Sequence, residues 1–411
     1  MAHKPAPPPA NARDSLVESF TNKIVRLRFH GKDLSFRLSH ALFSSFDIDE
    51  GTRLLLKSIA QRIDLRRIQS AIDIGCGIGV VGACIRAASP DSAVLLQDRD
   101  ALAAAFAEEN WRANALGHPA VDCGLGFWHI GGRSFDLVTS NLPAKAGRPV
   151  LESFFRLAIG CLAPGGTVAV VIVAPLSEMA VSAVKALECP ILHMESSREY
   201  TVLHFAKGTA APAAATREDL GPYIRARSTF AHEGTAYELE TAFSLPDFDI
   251  VGHGLSLQLE LLSDITGMGN VLVWNPGQGH LPAFLVSRQT GLTGLSIASR
   301  DSLECEITGR NMKRLGQPPL LVKSVASDGC LAEAFAGRSF DLLCANPHPV
   351  PRVPWQAGLR TSAIALLKTG GRLCVSGTST EIHRFLEQAA GLRLLASRKH
   401  YGFRAAILAR V

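Results

Sequence analysis

The sequence predicts an α/β protein built from two copies of one domain, each a mostly parallel sheet with helices on both faces. Three observations carry that prediction. Gly132-Arg133-Ser134-Phe135-Asp136-Leu137 leads to Asn141, and Gly337-Arg338-Ser339-Phe340-Asp341-Leu342 leads likewise to Asn346, 205 residues further on. Phe46-Asp47-Ile48 stands 202 residues before Phe248-Asp249-Ile250, so the offset is that of a whole domain. Apolar runs of strand length alternate with helical stretches between these marks, which implies parallel strands covered on both sides. A chain of 411 residues has room for two such domains.

Residues 1–13 are rich in Pro and Ala without an apolar core and read as a disordered tail. The first domain is expected over 14–207, a linker containing Ala-Ala-Pro-Ala-Ala-Ala over 208–219, and the second domain over 220–411. In the first domain, Ile24 to Phe36 alternates like a hairpin turning at Gly31. A helix is predicted from Arg53 to Ile63, then a strand from Ala71 to Ile74, a glycine-rich turn and a helix from Val80 to Ala88. A strand from Ala93 to Gln97, a helix from Ala101 to Ala115 and a strand from Phe135 to Thr139 follow; Pro164-Gly165-Gly166 then turns into a strand from Thr167 to Val173. In the second domain Tyr223 to Phe243 repeats the hairpin, and strands are expected at Val271 to Trp274, Gly294 to Ala298, Phe340 to Cys344 and Arg372 to Val375.

A hydrophobic fraction of 47% with 19% charged residues describes a folded, soluble protein, expected in the cytoplasm. The longest apolar runs have strand length, short of the roughly 18 residues of a membrane helix, so no membrane association is expected. Nine cysteines without a CxxC pair read as reduced, mostly buried thiols, and thirteen histidines without ligand spacing predict no metal site. The net charge of +5 leans toward a polyanionic partner.

The chemistry concentrates in the first copy. Asp73-Ile74-Gly75-Cys76-Gly77-Ile78-Gly79 places an acid and three glycines between a strand and a helix, where glycines let a ligand approach bare backbone. The next strand ends at Asp98, a carboxylate placed to accept the hydroxyl hydrogens of a ribose. Together they indicate a nucleoside cofactor, either a dinucleotide or S-adenosylmethionine. Asn141-Leu142-Pro143-Ala144, at the C-terminal end of the fourth strand, favours the second. The Asn141 side-chain oxygen and the Leu142 carbonyl, held by Pro143, can accept two hydrogen bonds from an exocyclic amine and aim its lone pair at a sulfonium methyl.

On these residues the chain resembles the class I S-adenosylmethionine-dependent methyltransferases, whose domains are Rossmann-like, and within them the "methyltransferase small" group with duplicated domains. Its layout is similar to that of the ribosomal RNA guanine-N2 methyltransferases. The resemblance rests on Phe43-Ser44, Asp49-Glu50-Gly51-Thr52, Asp73-Ile74-Gly75-Cys76-Gly77, Asp98, Phe135-Asp136-Leu137 and Asn141-Leu142-Pro143. It implies cofactor binding by Asp73, Gly75, Cys76, Gly77, Gly79, Asp98 and Asn141, catalysis by Asn141, Leu142 and Pro143, and RNA as substrate. The family carries a base-stacking aromatic residue where this chain has Ala144, and a proline where it has Leu142.

In the second copy, adding 202 sets Asn275-Pro276-Gly277-Gln278-Gly279-His280-Leu281 against the glycine loop, so that Asn275 faces Asp73; Ser299 stands at the acid of the next strand. That copy reads as degenerate, supporting the fold or gripping substrate, although Asn346-Pro347-His348-Pro349 keeps the start of the Asn motif. Phe127-Trp128 and Trp355 are expected to be core, Lys145 and Arg148 solvated loop charges, and His280 and His348 turn residues. Lys23, Arg26, Arg28, Lys32 and Arg37 in the first copy, and Arg225, Arg227, Arg398, Lys399 and Arg404 in the second, are candidate phosphate contacts. The expected function is methylation of an exocyclic amine in ribosomal RNA, guanine N2 foremost. The alternatives are methylation of a protein amide or small metabolite, and a non-catalytic module that binds the cofactor or RNA.

Overall fold

The computed structural model describes residues 16–43, 45–208, 219–289 and 291–411. The chain divides into two compact units, Met1–Asp219 and Leu220–Val411. The expected tail at 1–13 and all but the ends of the expected linker lie outside the described residues.

In the first unit β1 (Lys23–Phe29) and β2 (Lys32–Leu38) form an antiparallel ribbon. A seven-stranded sheet follows from β3 (Ser70–Ile74), β4 (Ala93–Asp98), β5 (Ala120–Cys123), β6 (Phe135–Asn141), β7 (Leu162–Val173), β8 (Ile191–Ser196) and β9 (Tyr200–Ala206). Its order is β5-β4-β3-β6-β7-β9-β8, parallel from β5 to β7 and antiparallel on both sides of β9. The chain leaves β3 toward β4 on one side and returns to β6 on the other, and such a switch point opens a crevice at the C-terminal ends of the strands. Its walls are apolar on both faces: Ile72, Leu137, Val138, Val168 and Val170 are fully buried.

The second unit repeats this plan strand for strand. A ribbon of β10 (Ile224–His232) and β11 (Thr235–Ala242) precedes β12 (Gly269–Trp274), β13 (Leu292–Ser299), β14 (Leu321–Ser324), β15 (Phe340–Ala345), β16 (Leu367–Thr378), β17 (Leu392–His400) and β18 (Phe403–Arg410). The sheet order is β14-β13-β12-β15-β16-β18-β17. The helix Val80–Ala88 is as expected, whereas the first helix starts earlier, at Glu50, because Asp49 caps it by accepting from the Thr52 amide at 3.2 Å. The predicted Pro164-Gly165-Gly166 turn is an excursion within β7, with Phe135 pairing Leu162 and Leu137 pairing Thr167.

One device in both units went unread in the sequence. Asn110 accepts from the Arg37 amide at 2.8 Å and donates to the Ile78 carbonyl at 3.0 Å, tying the ribbon to the glycine turn. Asn311 does the same with the Glu240 amide at 2.9 Å and the Gln278 carbonyl at 3.1 Å.

Candidate functional site

The glycine turn follows β3 and opens the helix Val80–Ala88. Gly75, Gly77 and Gly79 have φ of +68°, +55° and +86°, a region in which any side chain but a few small polar ones is strained. They differ in what surrounds them. A Cβ on Gly75 or Gly77 would meet nothing within 4 Å, so their backbone faces open space, whereas one on Gly79 would lie 3.1 Å from the Ala107 Cβ. Gly79 therefore also serves the packing of two helices. Gly82, not singled out in the sequence, lets the same helix pack on β4, since its Cβ would fall 2.1 Å from a Leu96 methyl.

Asp73 lies a layer below the turn. It is 2% exposed, with one oxygen accepting from the Thr139 hydroxyl at 2.9 Å and the other from the Gly82 amide at 3.2 Å. It braces β3 to β6 and to the helix. Burial, with the Asp98 charge adding, pushes its pKa up to about 7. Asp98, half-buried at the end of β4, accepts from the Gly77 amide at 2.8 Å and the Asp100 amide at 2.9 Å, one bond to each oxygen. Each oxygen keeps a lone-pair direction for a further donor. Burial, with Asp100 adding, raises its pKa to about 6. Cys76 sits in the turn with its thiol buried and its amide bound to the Gln97 carbonyl at 3.1 Å.

Asn141 ends β6. Its amide nitrogen donates to Asp49 at 2.9 Å and to the Thr52 hydroxyl at 3.1 Å, and Asp49 also accepts from the Tyr200 hydroxyl at 3.1 Å. Burial and the Asp49 charge push the Tyr200 hydroxyl up to about 12, so it stays a donor at neutral pH. These bonds decide which way the Asn141 amide points. With its nitrogen held, its oxygen has no hydrogen-bond partner among the described residues. The Leu142 amide donates to the Val171 carbonyl at 2.9 Å and its side chain is buried in the core, leaving its carbonyl likewise without a partner among them. Pro143 and Ala144 are exposed. Asp49 and Thr52 carry the resemblance in the sequence; that they orient Asn141 follows only from the fold, which brings residue 49 within bonding distance of residue 141.

The second unit presents the same turn differently. Gly279 opens its helix with φ of +91°, as Gly79 does, so the backbone sets Asn275 (φ +53°) against Gly75 and Val273 against Asp73. The expected pairing of Asn275 with Asp73 is thus two residues out, because insertions elsewhere change the offset along the chain. Asn tolerates the left-handed region, which is why it can replace that glycine. The Gly277 amide is taken at 3.2 Å by Glu304, 4% exposed, which also accepts from the Ser299 hydroxyl at 2.8 Å. The Asn346 oxygen accepts from the Ser376 hydroxyl at 2.9 Å, and its nitrogen donates to the Asn275 carbonyl at 3.2 Å. Gly252 caps the helix where Asp49 does in the first unit, and Phe403 stands for Tyr200.

The remaining candidates divide as follows. Phe127 is 1% exposed against Phe154 with ring centroids 5.3 Å apart, and Trp355, 6% exposed, stacks on Phe385 at 5.7 Å; both are core. Trp128 is half-buried. Arg148 pairs with Glu152 at 2.6 Å. His280 is a buried histidine bonded to the Asp247 carbonyl at 2.8 Å and the Tyr237 hydroxyl at 3.2 Å, while His348 is exposed. Phe43 and Phe46, 72% and 69% exposed, stand in the segment leading to Asp49. Among the described residues no cluster of His, Cys, Asp or Glu could hold a metal ion, and no helix is long and apolar enough to cross a membrane.

Comparison with known proteins bears on the fold. A solved structure of the T. thermophilus 16S rRNA N2 G1207 methyltransferase, in complex with AdoMet and guanosine, is similar over 96% of this chain and 100% of its own, with a TM-score of 0.64 and 17% identity, a likeness of fold across both units. The ribosomal RNA small subunit methyltransferase C of Actinobacillus succinogenes is 38% identical over 106 residues, 26% of this chain and 30% of that protein. The ribosomal RNA large subunit methyltransferase G of Streptomyces avermitilis is 32% identical over 133 residues, 31% of this chain and 34% of that protein. The chain thus spans about a third of the length of these curated relatives. The family model of the methyltransferase small domain matches residues 33–203, the stretch that holds the glycine turn, Asp98 and the oriented Asn141.

Proposed function

We propose that the chain is an S-adenosylmethionine-dependent N-methyltransferase acting on the exocyclic amine of a base in ribosomal RNA, guanine N2 foremost, with donor and acceptor both held by the N-terminal domain. The observation that carries this reading is the Asn141 oxygen, oriented by Asp49 and Thr52 and left open beside the open Leu142 carbonyl. Two such acceptors fit the two N–H bonds of a planar amine and leave its lone pair directed out of their plane. Holding the amine in that attitude lowers the barrier by positioning and by stabilising the positive charge that grows on nitrogen as the N–C bond forms.

For the cofactor, Gly75 and Gly77 offer bare backbone and Asp98 offers acceptors to ribose hydroxyls. Asp73, Cys76 and Gly79 fix the shape of the turn. The open acceptor pair at Asn141 and Leu142, which has no role in hydride transfer, supports a sulfonium nucleoside over a dinucleotide. When bound, S-adenosylmethionine supplies an electrophilic methyl group on a positively charged sulfur.

The ribosomal RNA substrate is supported by the names of the curated relatives and by the guanosine of the structural neighbour. The ribbon adds a phosphate-facing surface: Arg26 and Lys32 are exposed and form no ion pair among the described residues. Arg225 and Arg227 of the second ribbon, by contrast, are paired with Asp249 and Glu238. Ribosomal RNA from a strain lacking the protein, incubated with the protein and isotopically labelled S-adenosylmethionine and digested to nucleosides, should yield labelled N2-methylguanosine by mass spectrometry. Label in ribosomal protein instead would give the acceptor as a protein amide, and cofactor binding without transfer to either would make the chain a binding module.

A further inference from the structure

The hairpin that closes the second sheet ends in a surface its counterpart in the first lacks. We propose that the tip of the β17–β18 hairpin is a docking site for unpaired RNA, with a base stacked on Tyr401 and flanking phosphates on Lys399 and Arg404. The proposal rests on the reading of RNA as substrate and assigns a specific task to the domain whose motif Asn oxygen is taken by Ser376.

Tyr401 is 72% exposed, although it is a large aromatic residue. Its ring is backed by His400 and His253, with centroids 4.0 Å and 5.0 Å away, so one side is supported and the remainder faces solvent. The backbone holds it there at a cost. Tyr401 and Gly402 have φ of +43° and +81°, as a two-residue turn requires, and the first of these positions suits Asn, Asp or Gly far better than an aromatic residue. The Gly402 carbonyl accepts from the Ser379 amide at 2.7 Å, which fixes the turn to the start of the helix Ser379–Glu387. Phe403 pairs with Thr378, the last residue of β16, so the tip stands at the end of the sheet where the parallel strands finish.

Charge singles out the partner. Between Leu392 and Arg410 the hairpin carries Arg393, Arg398, Lys399, Arg404 and Arg410 and no carboxylate, whereas the corresponding hairpin from Ile191 to Ala206 carries Arg198 against Glu195 and Glu199. Arg398 is held by Glu260 at 3.1 Å. Lys399 and Arg404 are cross-strand partners, so the pleat sends both side chains to the side of the ribbon opposite Arg398. Neither forms an ion pair among the described residues, and the Arg404 Nε is buried without a hydrogen-bond partner there. A free aromatic face at the tip, with unneutralised cations on the other side of the ribbon just behind it, matches a strand that crosses the tip with its bases unstacked; a duplex presents phosphates but no base faces.

Fluorescence anisotropy of the full chain with a fluorescein-labelled short single-stranded RNA, and with the same sequence as a duplex, tests this. Tyr401→Asn should weaken single-strand binding about ten-fold, leave duplex binding unchanged and keep or raise the melting temperature, because Asn suits the turn. Tyr401→Trp should retain the affinity. Lys399→Gln and Arg404→Gln should weaken both probes and flatten the salt dependence by about 0.7 in log-log slope for each. Undiminished single-strand affinity in Tyr401→Asn, or a loss that Tyr401→Trp shares, overturns the proposal. The readout is affinity rather than methyl transfer: transfer to RNA with normal binding by Tyr401→Asn defeats this inference and leaves the enzyme reading standing. RNA binding that depends on Tyr401, without any transfer, does the reverse.

Discussion

The two glycine turns share a backbone and differ in who satisfies it. In the first, the Gly77 amide is met by Asp98 from the next strand, and the Asn141 oxygen and the Leu142 carbonyl remain open. In the second, Glu304 meets the Gly277 amide and Ser376 takes the Asn346 oxygen, so the amide is satisfied in both turns and the oxygen left open in the first is closed in the second. A motif Asn is thus a site only where its neighbours hold its nitrogen and spare its oxygen. Asp49, Thr52 and Tyr200 do this in the first unit; Gly252 and Phe403 cannot do it in the second, lacking the carboxylate and the hydroxyl.

The sharpest way to break this contrast is to remove each Asn in turn. Asn141→Ala should cost about 2 to 4 kcal/mol of transition-state stabilisation, seen as a fall in kcat with cofactor affinity nearly kept, while Asn346→Ala should leave the rate alone. Turnover abolished by Asn346→Ala instead would exchange the roles of the two domains. Next in size is the cofactor. Calorimetry on the full chain should find one site for S-adenosylmethionine, and Asp98→Asn should weaken it by about 1.5 to 3 kcal/mol, the worth of hydrogen bonds to a charged group. The affinity of the unaltered protein should also fall as pH drops through about 6, where Asp98 takes up its proton. A second site of similar affinity would show that the second turn is open after all.

The buried acid sharpens the comparison differently, because Val273 stands in its place in the second unit. Asp73 has a folded pKa raised to about 7, above its ordinary value near 4. The stability it contributes is fully present below pH 4 and is lost as pH rises through 7, where an ionised carboxylate must stay buried. Asp73→Asn should therefore be more stable than the unaltered protein at pH 8, by about 1 to 2 kcal/mol in denaturant unfolding, with the advantage gone at pH 4. The smallest effect is expected from Tyr200→Phe, which imitates Phe403. Losing one hydrogen bond to Asp49 should lower kcat by a few-fold, about 0.5 to 1.5 kcal/mol, without changing cofactor affinity.

Much of this was legible in the sequence, for identifiable reasons. The duplication, the alternation of strands and helices and the glycine turn before Val80 are local patterns, and local patterns survive into structure. The burial of Phe127 and Trp355 followed from ordinary core chemistry. What escaped was long-range. The bond between Asp49 and Asn141 spans 92 residues and the clamp of Asn110 on the Arg37 amide spans 73, and no periodicity records such pairs. The offset between the copies drifts from 200 at the glycine turn to 205 at the Asn motif, so a fixed shift set Asn275 against the wrong residue. The tasks of Gly79 and Gly82 needed the neighbours Ala107 and Leu96, which only the packed helices and strands supply.

Glu304 couples two positions of the second unit so that neither can be exchanged independently. It stands three residues beyond the helix-capping Asp301, as Ala103 stands beyond Asp100, and its carboxylate already occupies the amide that a strand-end acid would claim. Restoring an aspartate alone, as in Ser299→Asp, would press two carboxylates onto one buried N–H and remove the hydroxyl that Glu304 now accepts from. Both residues must change together before either change is tolerated. One side chain thus couples the end of the strand, the glycine turn and the first turn of the following helix in the second unit.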